Sequence, residues 1–344
     1  MKFLKLIFLI AILFGCKSNK EKESKTIQST AYKGPIIDMH THVNKAEDIP
    51  NNPTAYCIPL STIIEHYDPK EGSYGDLWWD AWEDPQCENP IWFPKDYESY
   101  QKSFQDAFIK HNVLAVMSGT DPIEVLKWQK RMPDHVIPSL QFRIGESNIS
   151  PDSLRVLVEN HGLKGLGEIT NQYHGIELTD PRMFPYYKLA QELDIPVGIH
   201  MGSGLPGIPY YMYPNYRASL SNPLDLEELL LKFPKLRIYI MHYAEPFIDE
   251  LITVMVHHPQ VYVEIGGIQW FYPREYFYEY HLKKLVLAGF EKRILFGSDL
   301  ILAAGILEES IDIINDAPFL NYEQKANIFY NNAARFLRLQ ENEK

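Results

Sequence analysis

Eight short and almost wholly apolar segments recur along this chain, and each is followed by a segment with helical spacing of its apolar residues. Apolar runs of this kind predict strands that are buried on both faces. Buried strands that alternate with helices predict a parallel sheet covered on both sides. The predicted strands cover residues 35–39, 112–119, 135–145, 162–170, 195–202, 236–245, 261–270 and 293–299.

Eight strand–helix units with no strand left over predict an α/β fold, a (β/α)8 TIM barrel. A doubly wound open sheet is the alternative, but it would need a glycine-rich phosphate loop after its first strand, where this chain has IIDMHTH. Two long, aromatic-rich loops are expected at the C-terminal face of the barrel. The first covers residues 44–98 and is predicted to be an irregular but folded lid or wall, and the second covers residues 203–223.

The first fifteen residues have the features of a bacterial lipoprotein signal peptide. Lys2 and Lys5 precede the apolar run LIFLIAILF, and LFGC resembles a lipobox, whose cysteine is lipidated. The sequence therefore predicts a signal peptide over 1–15, lipidation of Cys16 and a lipid-anchored protein of the bacterial cell envelope. An uncleaved N-terminal anchor is the alternative.

Residues 16–34 are polar and charged, which predicts a flexible tether ahead of a barrel domain over 35–338. The formal net charge of −12 and the absence of a long basic run after residue 16 make a nucleic-acid partner unexpected. Cys57 and Cys87 either form a disulfide in an oxidising compartment or remain two buried thiols. The oligomeric state stays open, a homo-oligomer included.

Polar residues able to bind a metal end five of the predicted strands. His40 and His42 follow the first strand and point to the same side of it, because side chains of a strand alternate. Active sites of this barrel lie where the C-terminal strand ends meet. A single histidine or acid at such a place is usually a core residue or a helix cap, but the whole set predicts a metal site: His40, His42, Glu168, His200, His242 and Asp299.

This order of ligands resembles that of the amidohydrolase superfamily. The passages NPLDLEELLLKFPKLRIYIMHYAE, HHPQVYVEIGG, KRILFGSD and NNAARFL are similar to its amidohydrolase-related branch. The resemblance implies that His40, His42, His200 and Asp299 hold one or two divalent ions, preferentially zinc. It implies further that Asp299 accepts a proton from water and that His242 lies beside the metal, binds a second ion or polarises the substrate.

Glu168 resembles the strand-four carboxylate that bridges two ions in binuclear members. Lys164 is a weaker choice for the bridge, because it lies four residues earlier and therefore about 13 Å deeper in the barrel. Glu168 as a hydrogen-bond partner of a ligand is the alternative. Asp38 is interpreted as structural or as a residue that orients a ligand histidine.

The predicted small-molecule substrate is apolar or aromatic, because the two loops are rich in aromatic residues. Its expected contacts are Trp78, Trp79, Tyr211 and Trp270, together with Arg143 and Arg217, which either bind a carboxylate or form structural ion pairs. Three functions are considered. The first is a metal-dependent hydrolase of a C–O or C–N bond, the second a metal-dependent decarboxylase, and the third a non-catalytic ligand-binding surface lipoprotein.

Overall fold

All eight predicted strands form, and neighbours in the sequence pair in parallel within one sheet. The computed structural model describes residues 31–339. The strands are β1 Ile36–His42, β2 Val113–Gly119, β3 Val136–Phe142, β4 Gly165–Ile169, β5 Val197–His200, β6 Ile238–Met241, β7 Tyr262–Glu264 and β8 Ile294–Leu295. Most are shorter than predicted, because residues at both ends of the predicted runs belong to the connecting segments.

The sheet closes where the segment after β8 meets β1. The Met39 N–H donates to the Phe296 carbonyl at 2.9 Å, and the His42 N–H donates to the Leu300 carbonyl at 2.8 Å. Thr41 and Leu300 form a parallel bridge there. These bonds confirm the predicted (β/α)8 barrel and leave no open doubly wound sheet.

Helices return the chain from each strand end to the next strand, and several begin at side-chain caps. Ser150 accepts the Ser153 N–H ahead of one helix, and Pro151 occupies its first turn, where a missing N–H costs nothing. The longer helices are Tyr74–Glu83, Tyr97–His111, Pro122–Arg131, Pro151–His161, Phe184–Glu192, Leu226–Lys232, Ile248–His257 and Gly305–Asp316. Shorter segments are Ile268–Phe271, Arg274–Tyr276, Phe277–Leu282, Lys283–Leu287, Tyr322–Ala326, Asn327–Asn331 and Asn332–Leu337.

The first long loop is more regular than predicted. Residues Ala55–Tyr56 and Ile91–Trp92 pair as a small antiparallel sheet, and the helix Tyr74–Glu83 lies between them. A disulfide joins Cys57 to Cys87, with 5.7 Å between their Cα atoms, so the thiol alternative does not hold. The prediction of a folded wall is thus confirmed, while the prediction of an irregular chain is wrong over the helix.

The predicted signal peptide, Cys16 and residues 16–30 of the predicted tether lie outside the described residues. The end of that tether contacts the barrel: the Tyr32 N–H donates to Asn315 Oδ1 at 2.7 Å, and its ring stacks on Phe329 at 5.4 Å. Between residues 31 and 339, none of the helices combines the length and apolar character needed to span a bilayer.

Candidate metal centre

The six predicted metal-site residues converge at the C-terminal mouth of the barrel. His40 and His42 end β1, Glu168 lies in β4, His200 ends β5, His242 follows β6, and Asp299 follows β8. The four imidazoles and Glu168 are all buried. Residues separated by up to 259 positions in the sequence therefore share one small volume, as the strand-end pattern predicts.

One group of donors contains His40, His42 and Asp299. The Nε2 atoms of the two histidines lie 3.0 Å apart, and Asp299 Oδ1 lies 3.3 Å from His40 Nε2 and 3.1 Å from His42 Nε2. Ligands about 2.0–2.2 Å from one ion are separated by roughly 2.8–3.6 Å, from right-angled to tetrahedral arrangements. The spacing of these three atoms therefore fits coordination of a single ion.

A second group contains His200 and His242 and meets the first at Glu168. Glu168 Oε1 lies 2.5 Å from His200 Nδ1 and 3.2 Å from His242 Nε2. Glu168 Oε2 faces the first group, 3.9 Å from His40 Nε2 and 3.8 Å from His42 Nε2. Glu168 thus belongs to two groups of three donors that could each hold an ion, one with His40 and His42 and the other with His200 and His242.

Hydrogen bonds on the outer ring nitrogens show which nitrogen of each imidazole carries a lone pair. Tyr216 donates its hydroxyl proton to the Gly202 carbonyl at 2.6 Å, so its oxygen accepts from His200 Nε2 at 2.9 Å. His242 Nδ1 donates to the Gly266 carbonyl at 2.8 Å. Neutral His200 and His242 would therefore direct the lone pairs of their inner nitrogens at Glu168, so the contacts of 2.5 and 3.2 Å to its Oε1 require a proton or a cation there.

Glu264, the last residue of β7, was missed in the sequence and supports the centre from outside. Its Oε2 lies 3.2 Å from His40 Nδ1, and the side chain is fully buried. Because the carboxylate only accepts, His40 donates from Nδ1 and turns its Nε2 lone pair toward Asp299. The rule that found the other acids, a polar residue at the end of an apolar strand, also applies to VYVE and would have found Glu264.

The charges around these imidazoles favour a cation. Burial lowers the pKa of His40, but the carboxylates of Asp299 and Glu264 outweigh burial and raise it to about 10. Burial likewise opposes ionisation of Glu168, yet His200 and His242, when they are protonated and donate to it, hold the pKa of this carboxyl well below its usual range, and a bound cation would take the place of their protons. The donor set of imidazoles and ionised carboxylates therefore suits a divalent ion such as zinc, manganese or iron.

Asp38 holds the backbone and contacts no ligand ring. Its Oδ1 accepts the backbone N–H of His40 and that of Ser298, both at 3.0 Å. Ser298 immediately precedes Asp299. Asp38 therefore fixes the two ligand-bearing segments to each other, and its burial raises the pKa of its carboxyl to about 7.

A cavity of about 360 Å³ opens over the metal centre. Of the predicted substrate contacts, Trp79, Trp270 and Arg143 line it. Arg143 also donates to Glu146 at 2.7 Å and lies over the ring of Tyr173. Further lining side chains that the sequence reasoning did not single out are Gln141, Thr170, Leu205, Ile208, Phe271, Ile301 and Leu302.

The other three predicted contacts are not among the side chains that line this cavity. Trp78 is fully buried behind the wall, where its ring packs on Trp82 at 5.1 Å and on Tyr211 at 5.7 Å. Arg217 donates to the backbone carbonyls of Pro214 and Tyr216. Trp78 and Tyr211 therefore support the wall, while Arg217 holds its own loop together.

A sequence model of one protein family, described as amidohydrolase, matches residues 37–339. No curated protein sequence matches the chain. The matched range includes every strand of the barrel except the first residue of β1, all six predicted metal-site residues and Glu264.

Solved structures share the fold at low sequence identity. An uncharacterised TIM-barrel protein from Bordetella bronchiseptica is 16% identical with a TM-score of 0.59, covering 88% of this chain and 98% of its own. A probable 2-pyrone-4,6-dicarboxylic acid hydrolase from Acinetobacter baumannii is 16% identical with a TM-score of 0.56, and the match covers 89% of this chain and 100% of that protein's chain. The 5-carboxyvanillate decarboxylase of Novosphingobium aromaticivorans, complexed with manganese, is 13% identical with a TM-score of 0.54. The match covers 91% of this chain and 100% of that protein's chain.

Proposed function

This chain belongs to the amidohydrolase family, and on that premise we propose that it is a metal-dependent hydrolase of a C–O or C–N bond in a small apolar or aromatic substrate. The observation that carries the proposal is the position of Glu168. Its two oxygens face two separate groups of imidazole donors, as a carboxylate shared by two ions would. We propose zinc as the resident metal, held by His40, His42, Glu168, His200 and Asp299, with His242 available to a second ion.

A divalent ion in this centre would polarise the scissile carbonyl and lower the pKa of water from 15.7 to about 7. Asp299 supplies the base: burial raises its pKa, but His40 and the neighbouring imidazoles hold it below the usual range, so the carboxylate is charged at neutral pH. From the centre's edge, Asp299 can accept a proton from the attacking water and return it to the leaving group. His242, fixed through Nδ1, presents Nε2 toward the same space.

A decarboxylase is the second candidate, and Arg143 is the observation that favours it. This guanidinium lies at an aromatic-walled cavity, where it suits an aryl carboxylate. Decarboxylases of 5-carboxyvanillate and of 2,6-dihydroxybenzoate are among the proteins of similar fold. The third function, a non-catalytic binding protein, required His40, His42 and Asp299 to lie too far apart to share an ion, and their donor atoms lie within 3.3 Å.

Metal content and product analysis separate the two reactions. We expect elemental analysis of the purified residues 31–344 to find two ions per chain, and Glu168→Gln to lose one of them. Lactones, esters and amides should be cleaved with oxygen from ¹⁸O-labelled water in the acid product. One ion per chain, unchanged in Glu168→Gln, together with release of CO2 from aryl carboxylates, would establish the decarboxylase instead.

We also propose that the protein is lipid-anchored in the cell envelope through Cys16. The N-terminal sequence supports this, and the Cys57–Cys87 disulfide is of a kind that persists in oxidising compartments. Metabolic labelling with radioactive palmitate should label the wild type and the control Cys57→Ala/Cys87→Ala but not Cys16→Ala. Equal labelling of Cys16→Ala and the wild type would contradict lipidation of Cys16.

A further inference from the structure

The cavity has two chemically different sides. The metal centre, Arg143 and Thr170 form a polar side at the strand ends. The loops form an apolar side, whose main side chains are Trp79, Trp82, Leu205, Met212, Trp270 and Phe271. A wholly polar substrate would leave this second side without matching contacts.

The apolar side continues out of the cavity onto the surface. Trp79 and Met212 line the cavity, yet 43% and 42% of their surfaces remain exposed to solvent. We call Trp79 and Met212 the apolar rim. Exposed apolar side chains that adjoin a cavity mark binding surfaces more often than scattered ones do.

The rim is held in place before any ligand arrives. The Tyr211 ring stacks on Trp78 at 5.7 Å and on Tyr74 at 6.2 Å, and meets the Trp79 ring edge-on at 6.2 Å. These contacts join the helix Tyr74–Glu83 to the loop after β5 across the mouth. A wall that is already ordered loses little conformational entropy on binding, so its apolar contacts contribute to affinity.

We propose that the substrate is an amphiphile, with its reacting polar group at the metal centre and an apolar chain or ring system that extends over the apolar rim. The proposal rests on the proposed function for the identity of the reacting group. It adds that Trp79 and Met212 set the preference for substrates with a long apolar part. The observation that carries it is a series of ring contacts from Trp270 through Tyr56 and Trp82 to Trp79, at 5.8, 5.0 and 5.5 Å between centroids. Met212 lines the same cavity.

Binding of simple amphiphiles tests the proposal without any turnover. Straight-chain carboxylates of four, six, eight and ten carbons are titrated into the metal-loaded protein by calorimetry. We expect the Kd to fall about two- to fourfold for each added methylene, because each is removed from water on the rim. The heat-capacity change should become more negative with chain length.

Two rim variants and one control test whether the dependence of Kd on chain length arises at the apolar rim. Trp79→Ala and Met212→Ala should each flatten the dependence of Kd on chain length for the eight- and ten-carbon probes, while the four-carbon probe binds as in the wild type. Leu231→Ala is the matched control, because Leu231 is 71% exposed on the helix Leu226–Lys232, away from the cavity. Circular dichroism and melting temperature confirm that the variants fold.

The outcomes separate this inference from the proposed function. A Kd that does not depend on chain length, or a dependence that survives both rim variants, overturns the inference. If the rim variants change only the molecular mass in solution, the rim is a contact between copies of the chain and the inference is wrong. Chain-length-dependent binding without hydrolysis of any ester, lactone or amide would sustain the inference and contradict the proposed hydrolase.

Discussion

At the scale of single residues, the partners of the outer ring nitrogens determine which nitrogen of His40 and of His242 is available to a metal. Glu264 keeps the proton of His40 on Nδ1, and the Gly266 carbonyl does the same for His242. Each partner leaves Nε2 free to coordinate. Residues beyond the ligands should therefore contribute measurably to metal affinity, although they touch no ion.

Glu264→Gln should weaken metal binding about 10- to 100-fold, because a neutral amide makes His40 less basic and can turn an N–H toward Nδ1. Competition with a chromogenic chelator measures this affinity. Glu245→Gln is the control, since Glu245 is also buried and bonded to a histidine, with its Oε2 2.5 Å from His281 Nε2, outside the centre. Equal metal affinity of the two variants would refute the role given to Glu264.

Asp299→Asn should lower kcat about 10²- to 10⁴-fold, because the amide cannot accept a proton from water. Metal content is determined on the same preparation, so that loss of the base is distinguished from loss of the ion. Asp38→Asn serves for comparison, since Asp38 bonds only to backbone N–H groups and to Ser298 in the described structure. A pH–rate profile unchanged by Asp299→Asn would assign the proton transfer to another group.

At the scale of elements, the first loop behaves as a small folded unit built onto the barrel. The disulfide spans 30 residues and encloses the helix Tyr74–Glu83, which carries Trp79 and Trp82 into the cavity wall. Helix and disulfide together hold one side of the cavity, so the loop should affect substrate binding more than chemistry.

Cys57→Ser/Cys87→Ser should reduce the free energy of unfolding by about 3–4 kcal/mol, the cost of losing a cross-link across a loop of this length. It should also raise KM with little change in kcat, because the wall becomes mobile while the metal centre stays intact. Denaturant unfolding and steady-state kinetics measure the two effects. A fall in kcat at constant KM would instead place the loop in the reaction itself.

The same loop shows where sequence reasoning fails. Tyr74, Trp78 and Trp82 recur every four residues, a helical spacing that the many Pro, Asp and Gly residues of the segment conceal. Once the segment is a helix, adjacent Trp78 and Trp79 must point about 100° apart, so only one of them can face the cavity. Which one does depends on how the helix docks on Tyr211, and the sequence does not contain that information.

At the scale of the whole molecule, the barrel and its candidate metal ligands were predictable because one rule covers both. Apolar runs mark the strands, and the polar residues that end each run lie together at the C-terminal mouth of the barrel. His200 directly follows its run, and Asp299 follows Gly297 and Ser298 at the end of its run. Arg217 was not predictable in the same way, since its place depends on the folding of an irregular loop around it.

Metal affinity of the whole protein should rise with pH between about 6 and 9. The pKa of His40 is raised to about 10 by Asp299 and Glu264, so below that pH a proton competes with the ion for this nitrogen. Binding should therefore release about one proton from His40 at neutral pH. Calorimetry in two buffers of different ionisation enthalpy measures the number released, and a value of zero at pH 7 would contradict this competition.

The closure of the barrel gives the metal centre a structural role in addition to its proposed chemical one. His40 and His42 lie on the first strand and Asp299 follows the last, and these two segments meet edge to edge with only a few backbone bonds between them. An ion bound by all three side chains would cross-link the first strand of the barrel to the segment that follows the last strand. Removal of the ion should speed deuterium uptake first at the amides of Met39, His42 and Leu300. The barrel would then open between β1 and the segment after β8 before any other pair of strands separates.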